Sequence, residues 1–123
     1  MSRANSLIAG VCLVAAALPV AAQNLHVNDA AYVGIARCQG LINSDALQPQ
    51  VDPMGINRFM DLQSAGRTPN VADQAASNRA VAARDAQAAG PDGKALLIAE
   101  RDGPCRRWAR MGARAPAGAL TGN

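Results

Sequence analysis

Apolar side chains recur at helical spacing between Asp29 and Ile42, the most regular segment of the chain. Four of them fall within one narrow arc of a helical projection: Ala31, Ile35, Cys38 and Ile42. Such an arc is typical of an amphipathic helix with one face in a core. Asn28 precedes the segment as a helix start signal. The pattern therefore predicts a first helix from Asp29 to Ile42, with Cys38 pointing inward and Gly34 and Leu41 at the edge of the buried face. Three side chains are expected off that face: Tyr32, Arg37 and Gln39.

Two further helices are predicted by start signals that contain proline. Asp52-Pro53 places a capping acceptor before a proline at the first helical position, which predicts a short second helix to about residue 64. Thr68-Pro69 repeats the signal, and residues 71–89 that follow are rich in alanine, the residue with the highest helix propensity. This third helix is interpreted as a tightly packed core helix, or alternatively as a flat surface for a partner or a second copy.

Glycine and proline divide the rest of the chain into two more helices. Residues 90–93 have the sequence of a turn, and residues 94–101 form a short fourth helix. After an interruption by Gly-Pro, Asp102 can cap a last helix over residues 104–111, which Gly112 would end. The fold prediction is thus all-α, a small four- to five-helix antiparallel bundle.

The first 22 residues have the pattern of a cleavable signal peptide. Arg3 precedes an uncharged apolar run of about a dozen residues, too short for the roughly 20 that span a bilayer. Pro19 breaks the run, and small side chains before Gln23 predict cleavage after Ala22. An uncleaved anchor or a lipoprotein modified at Cys12 are the alternatives. The expected product is a bacterial periplasmic or secreted protein, with residues 1–22 as signal, 23–112 as one helical domain and 113–123 as a flexible tail.

Export makes a disulfide the first interpretation of the two remaining cysteines, Cys38 and Cys105. Their spacing is not the C-x-x-C of a redox-active pair. Large apolar side chains are few in this chain, so a small domain of this composition is expected to need such a crosslink.

The last predicted helix carries the strongest charge pattern. At 100° per residue, four arginines fall within an arc of about 100°: Arg106, Arg107, Arg110 and Arg114. They form a candidate binding surface for anionic phospholipid, a polyanionic envelope polymer or an acidic protein. The alternative is a solvated face with cations favoured near the helix C-terminus.

No pattern of catalytic, metal-binding or cofactor-binding residues stands out. His26 is the single histidine, it precedes the first helix, and both cysteines of the exported chain are assigned to the disulfide. Adventitious copper or nickel binding by His26 with Asp29 and the Gln23 amine is the one metal site considered. We therefore expect no enzyme activity, no cofactor and no metal. Nucleic acid is not an expected partner, because aromatic residues are nearly absent and net charge is only +3.

The leading functional hypothesis is a non-enzymatic binding or accessory protein of the cell envelope. Its partner would be another envelope protein or the anionic membrane surface, and a homodimer is a further option. A small exported helical domain with one disulfide is similar in outline to the small periplasmic acid-stress chaperones, although those proteins are richer in lysine and glutamate. This likeness supports an alternative hypothesis, a stress-linked holdase that exposes apolar surface at low pH.

Overall fold

Five helices make up most of residues 25–115, the part of the chain that the computed structural model describes. They are α1 Asp29–Ile42, α2 Met54–Gln63, α3 Pro69–Ala88, α4 Pro91–Asp102 and α5 Arg106–Arg114. This described part contains no strand, and the all-α prediction is confirmed. The predicted signal peptide, its cleavage site and residues 116–123 of the predicted tail (113–123) lie outside the described residues, whereas residues 113 and 114 belong to α5.

The predicted capping residues act at the starts of the first three helices. Asn28 Oδ1 accepts the Ala31 amide of α1 at 2.8 Å. Asp52 Oδ1 accepts the Met54 amide of α2 at 3.0 Å. At the start of α3, the Thr68 side chain accepts the Val71 amide, and Pro69 is the first helical residue. These bonds satisfy amide groups that have no partner inside the helix. The sequence boundaries of α1 are therefore confirmed, and those of α2 and α3 are correct to within about two residues.

Helix α1 lies at the centre of the bundle and contacts α2, α3 and α4. Ile35, Cys38 and Ile42 belong to a larger buried cluster with residues of α2, whereas the fully buried Leu41 belongs to a second cluster. Tyr32 is also buried, so the prediction that it lies off the buried face is wrong. The physical reason is that a central helix is covered on more than one side, which a single amphipathic arc does not represent.

The alanine-rich helix α3 is a core helix on one side only. Ala75, Ala82 and Ala86 are buried against the bundle, while most of the other alanines of α3 are exposed. Close approach to α1 occurs at Gly40, where an added Cβ would lie 2.8 Å from the Cβ of Ala82. Small side chains thus allow α1 and α3 to pack closely where large apolar side chains are absent.

The disulfide between Cys38 and Cys105 joins α1 to the residue that precedes α5, with a Cα–Cα distance of 5.3 Å. Both cysteines are buried. The predicted closure of the bundle by this bond is confirmed.

Two helix boundaries differ from the prediction. Residues 90–93 do not form a separate turn, because Gly90 is the N-cap and Pro91 the first residue of α4. Proline is favoured at this position, since its missing amide is not needed there. Helix α5 continues through Gly112 to Arg114 instead of ending at the glycine. Gly112 stays within the helix because the backbone of α2 lies directly against it.

Candidate functional site

Two glycines bring α5 into close contact with α2. A Cβ added at Gly112 would collide with the Gly55 carbonyl and lie 2.8 Å from the Phe59 amide nitrogen, and one at Gly55 would collide with the Ala109 carbonyl. Only hydrogen fits at both positions. The crossing fixes which side of α5 faces the bundle and therefore which side faces out.

The outward side carries the four arginines that the sequence predicts as a binding surface, here named the basic face. Its members are all exposed: Arg106, Arg107, Arg110 and Arg114. The opposite side of the helix supplies the buried Gly112 and the half-buried Trp108, Ala109 and Met111. The structure thus brings the predicted residues together on one surface, as the sequence periodicity indicates.

The basic face differs from the other cationic side chains in its lack of internal partners. None of its four guanidinium groups forms a hydrogen bond or ion pair with another residue of the described chain. Among the seven described basic residues outside α5, only Arg84 shares this property; six donate to acceptors within the fold: Arg37, Arg58, Arg67, Arg79, Lys94 and Arg101. All aspartates and the glutamate of the sequence lie within residues 25–115. Acidic side chains of the remaining segments therefore cannot neutralise the face.

An aromatic pair supports the basic face from beneath. The guanidinium carbon of Arg107 lies 4.3 Å from the centroid of the Trp108 ring, and the Trp108 ring lies 5.3 Å from that of Phe59. The cation–π contact holds the Arg107 side chain along the surface of the bundle. It also covers part of the only tryptophan, which leaves the face dominated by charge.

A cleft lies beside the basic face where the ends of α1 and α4 meet α5. Its volume is about 340 Å³, and it is lined by Ile42, Val51, Asp52, Arg101, Asp102, Arg106 and Ala109. Arg106 therefore belongs both to the basic face and to this cleft.

Arg101 forms the rear of the cleft and is almost fully buried. Its guanidinium donates to the carbonyl oxygens of Leu47 and Pro49, each at 3.0 Å, and to both carboxylate oxygens of Asp102. The hydrogen bond from Arg101, reinforced by the charges of Arg101 and Arg106, lowers the pKa of Asp102. The sequence prediction that Asp102 caps the last helix is wrong, because its carboxylate is engaged by Arg101 and the N-cap of α5 is Cys105.

Side-chain hydrogen bonds to backbone atoms also hold the segment that precedes α1, as Arg101 holds the loop at the cleft. The Gln63 side chain accepts the Val27 amide at 2.9 Å and donates to the Leu25 carbonyl at 2.6 Å. Arg67 donates to the Val27 carbonyl at 2.6 Å and lies 4.6 Å from the Tyr32 ring centroid. These contacts were not predicted, because the partners lie about 40 residues apart and neither side chain is part of a motif.

His26 belongs to the same clamped segment. Its Nε2 lies 3.2 Å from the Ala65 carbonyl oxygen, so the histidine has a structural contact and does not stand on a free segment. The described residues contain no group of three or more potential metal ligands.

An ion-pair network links three helices on another side of α1. Arg37 forms a two-bond contact with Glu100 of α4, at 2.7 and 3.0 Å, and a longer one of 3.7 Å with Asp85 of α3. The hydrogen bond with Glu100 raises the pKa of Arg37 above its already high value. All three groups are used within the fold and offer no free charge to a ligand.

The chain matches no family model, no curated protein and no solved structure in the three comparisons that were made. Among the residues described, no helix has the length and apolar character needed to cross a membrane. The buried disulfide is compatible with an exported protein.

Proposed function

We propose that this protein is a non-enzymatic accessory protein of the bacterial envelope, exported by its signal peptide, that binds the anionic phospholipid surface through the basic face. The observation that carries the proposal is the set of four exposed guanidinium groups that have no hydrogen-bond acceptor and no ion-pair partner among the described residues. Of the other basic residues described, three form ion pairs, namely Arg37, Arg67 and Arg101. Arg58, Arg79 and Lys94 donate to neutral oxygens, so the face is where cationic groups without an acceptor in the described chain are gathered.

A solvated face does not account well for this arrangement, because the arrangement costs stability. Arg106 and Arg107 occupy the first turn of α5, where the helix dipole disfavours cations, and that turn contains no acidic residue. Arg110 is spaced three or four residues from each of the other three arginines. Like charges at such spacings destabilise a helix by about 0.2–0.5 kcal/mol per pair. A cost of about 1 kcal/mol in a small domain favours a role outside the fold.

A lipid surface fits the basic face better than an apolar protein interface does. Energetic centres of protein interfaces are usually aromatic side chains that enter a pocket, but Trp108 is covered by Arg107 and contacts Phe59. Adsorption to anionic headgroups requires only charge, and arginine can bind a phosphate with two parallel hydrogen bonds. Each basic residue near such a surface contributes about 1 kcal/mol. Four residues therefore predict weak binding that salt reverses.

The experiment compares charge reversal on the basic face with charge reversal elsewhere. Arg107→Glu/Arg110→Glu changes the net charge by −4, and so does a control on α3 that combines Arg84→Glu, Gln74→Glu and Ser77→Glu. All five positions are exposed. Cosedimentation is measured with vesicles that contain one quarter phosphatidylglycerol, and with neutral phosphatidylcholine vesicles.

We expect the unmodified protein and the α3 control to bind the anionic vesicles similarly. Loss of two attractions and gain of two repulsions should weaken the basic-face variant at least 30-fold. Equal binding of both variants, or equal binding to neutral vesicles, would refute the proposal. Capture of an acidic envelope protein without vesicle binding would assign the face to a protein partner instead.

A second candidate function, an acid-activated holdase, is favoured by the exposure of two counter-ions. The side chains of Arg67 and Arg101 are only 3% and 1% exposed, whereas their partners Asp29 and Asp102 are 63% and 50% exposed. Loss of these negative charges would leave the buried guanidinium groups without a counter-ion. The segments that these arginines hold, residues 25–28 and 44–51, would then loosen and uncover apolar surface.

The holdase candidate is tested by aggregation of an acid-labile client protein between pH 3 and 5. Asp29→Asn/Asp102→Asn should suppress aggregation at a higher pH than the unmodified protein does, because its clamps lack counter-ions at every pH. Asp61→Asn is the matched control, since Asp61 is exposed and its carboxylate has no partner among the described residues. Absence of suppression throughout this pH range removes the candidate.

A further inference from the structure

The cleft beside the basic face has the size and lining of a small-molecule site. Ligand pockets typically enclose about 300–1,000 Å³, and the cleft, at about 340 Å³, lies at the lower end of that range. Its apolar lining comes from Ile42, Val51 and Ala109. A site of this volume suits a molecule of the size of an amino acid or a dipeptide.

The charges around the cleft are balanced but unequally engaged. Arg101 and Asp102 bind each other, and the two loop carbonyls accept from Nη1 of Arg101. Asp52 uses only Oδ1, for the Met54 amide, which leaves Oδ2 without a partner among the described residues. Arg106 likewise has no acceptor there. One acceptor and one cationic donor therefore remain available, both attached to helix ends at the cleft.

We propose that this cleft binds a small zwitterion with an aliphatic body, of the class of α-amino acids and dipeptides. The ligand ammonium group would pair with Asp52 and its carboxylate with Arg106, while the aliphatic portion covers Ile42, Val51 and Ala109. A zwitterion matches a site whose own formal charges sum to zero. A simple cation or anion would satisfy one of the two available groups and leave the other unpaired.

The rigid framework of the cleft supports this assignment. Arg101 fixes the 44–51 loop to the end of α4, and the disulfide at Cys105 fixes the start of α5 to α1. The walls are thus held before a ligand arrives, which lowers the entropic cost of binding. Membrane binding can be measured separately, because Arg107, Arg110 and Arg114 do not line the cleft and Arg106 alone belongs to both surfaces.

The test is an NMR titration of amide resonances with protein purified from the periplasm of an exporting host. The probes are L-leucine and L-alanyl-L-alanine, with isoamylamine and isovalerate as compounds that carry only one of the two charges. We expect leucine or the dipeptide to shift resonances near Val51 and Ala109 at millimolar concentration or below. Either single-charge compound should bind at least tenfold more weakly, because it loses one charged hydrogen bond.

Three variants separate the cleft from the rest of the surface. Asp52→Asn keeps the capping acceptor and Arg106→Gln keeps a helix-forming side chain, and each should weaken leucine binding about tenfold or more. Arg110→Gln removes the same charge from the same helix outside the cleft and should bind leucine normally. Thermal unfolding of all three verifies that the fold is retained.

Three outcomes would overturn the inference. They are no resonance shifts up to 20 mM of any zwitterion, shifts that Asp52→Asn and Arg106→Gln leave unchanged, or equally tight binding of isoamylamine. The last result would define a cation site. None of these outcomes bears on vesicle binding, which is measured with different variants.

Discussion

Removal of the Cys38–Cys105 disulfide should cost this protein a large part of its stability. The bond closes a loop with a sequence separation of 67 residues, about three quarters of the described chain. The loss of loop-closure entropy in the unfolded state corresponds to about 4.4 kcal/mol for a loop of this length. Domains of about 90 residues have total stabilities of about 5–14 kcal/mol. We therefore expect Cys38→Ala/Cys105→Ala to be marginally folded or unfolded at 25 °C.

The assay is urea unfolding followed by circular dichroism and by fluorescence of Trp108. This residue is the only tryptophan and lies against Phe59, so it reports on the α2–α5 contact. With a denaturant slope of about 1–1.5 kcal/mol/M, the midpoint should fall by about 3–4 M. Addition of reductant to the unmodified protein should give a similar fall, because the loop-closure effect does not depend on how the bond is lost.

A stabilising osmolyte distinguishes an unfolded-state effect from damage to the native fold. If the disulfide acts mainly through the unfolded chain, trimethylamine N-oxide should restore the native circular dichroism of the cysteine-free variant. A midpoint shift below 1 M with an unchanged slope would refute the reasoning. It would mean that packing of α5 on α2 already holds the last helix without the bond.

Three other changes test the contacts that position the site. Gly112→Ala should destabilise the fold by about 1–3 kcal/mol in thermal unfolding, because it forces a methyl group into the α2 backbone. Gly34→Ala is the control, since no atom lies within 4 Å of the added carbon. In the same measurement it should stabilise the fold by about 0.5–1 kcal/mol. Arg101→Met removes the donors to two loop carbonyls and should cost about 2–4 kcal/mol, with faster hydrogen exchange in residues 44–51. Because the pKa of Asp102 is lowered in the folded state, its carboxylate stabilises the fold above its unfolded pKa of about 4, and this stabilisation is lost as pH falls through the folded value. Asp102→Asn should therefore flatten the acid limb of a plot of unfolding free energy against pH. An unchanged limb would contradict the assignment.

Local signals predicted the helices well, because caps and periodicity are properties of neighbouring residues. Asn28 and the arc containing Cys38 were sufficient for α1, and the helical spacing of the arginines was sufficient for the basic face. Tyr32 and Gly112 were misjudged because their roles depend on which helices lie against them. A glycine at the end of a periodic segment normally indicates a stop, and only the approach of Gly55 explains why α5 continues through Gly112.

Hydrogen bonds from arginine to loop carbonyls were beyond sequence reasoning for the same reason. Arg101 and Leu47 are separated by 54 positions, and Arg67 and Val27 by 40. No spacing rule connects residues so far apart, and the partner is a backbone atom that every residue possesses. The clamped segments and the cleft walls therefore required the tertiary structure.

The abundance of arginine in this chain can be separated by position into structural and available groups. Large apolar side chains are few, and the buried guanidinium groups of Arg67 and Arg101 hold non-helical segments against the bundle. Arg58 likewise donates to the Ala115 carbonyl at the end of α5. Each of these has a carbonyl acceptor within the described chain. From composition alone, the arginines of the basic face would be regarded as a further result of the high arginine content of the chain. Its four guanidinium groups instead lie where they repel one another, and none has a hydrogen-bond acceptor or an ion-pair partner among the described residues. The contact pattern therefore favours an external anion as their partner over an effect of composition alone.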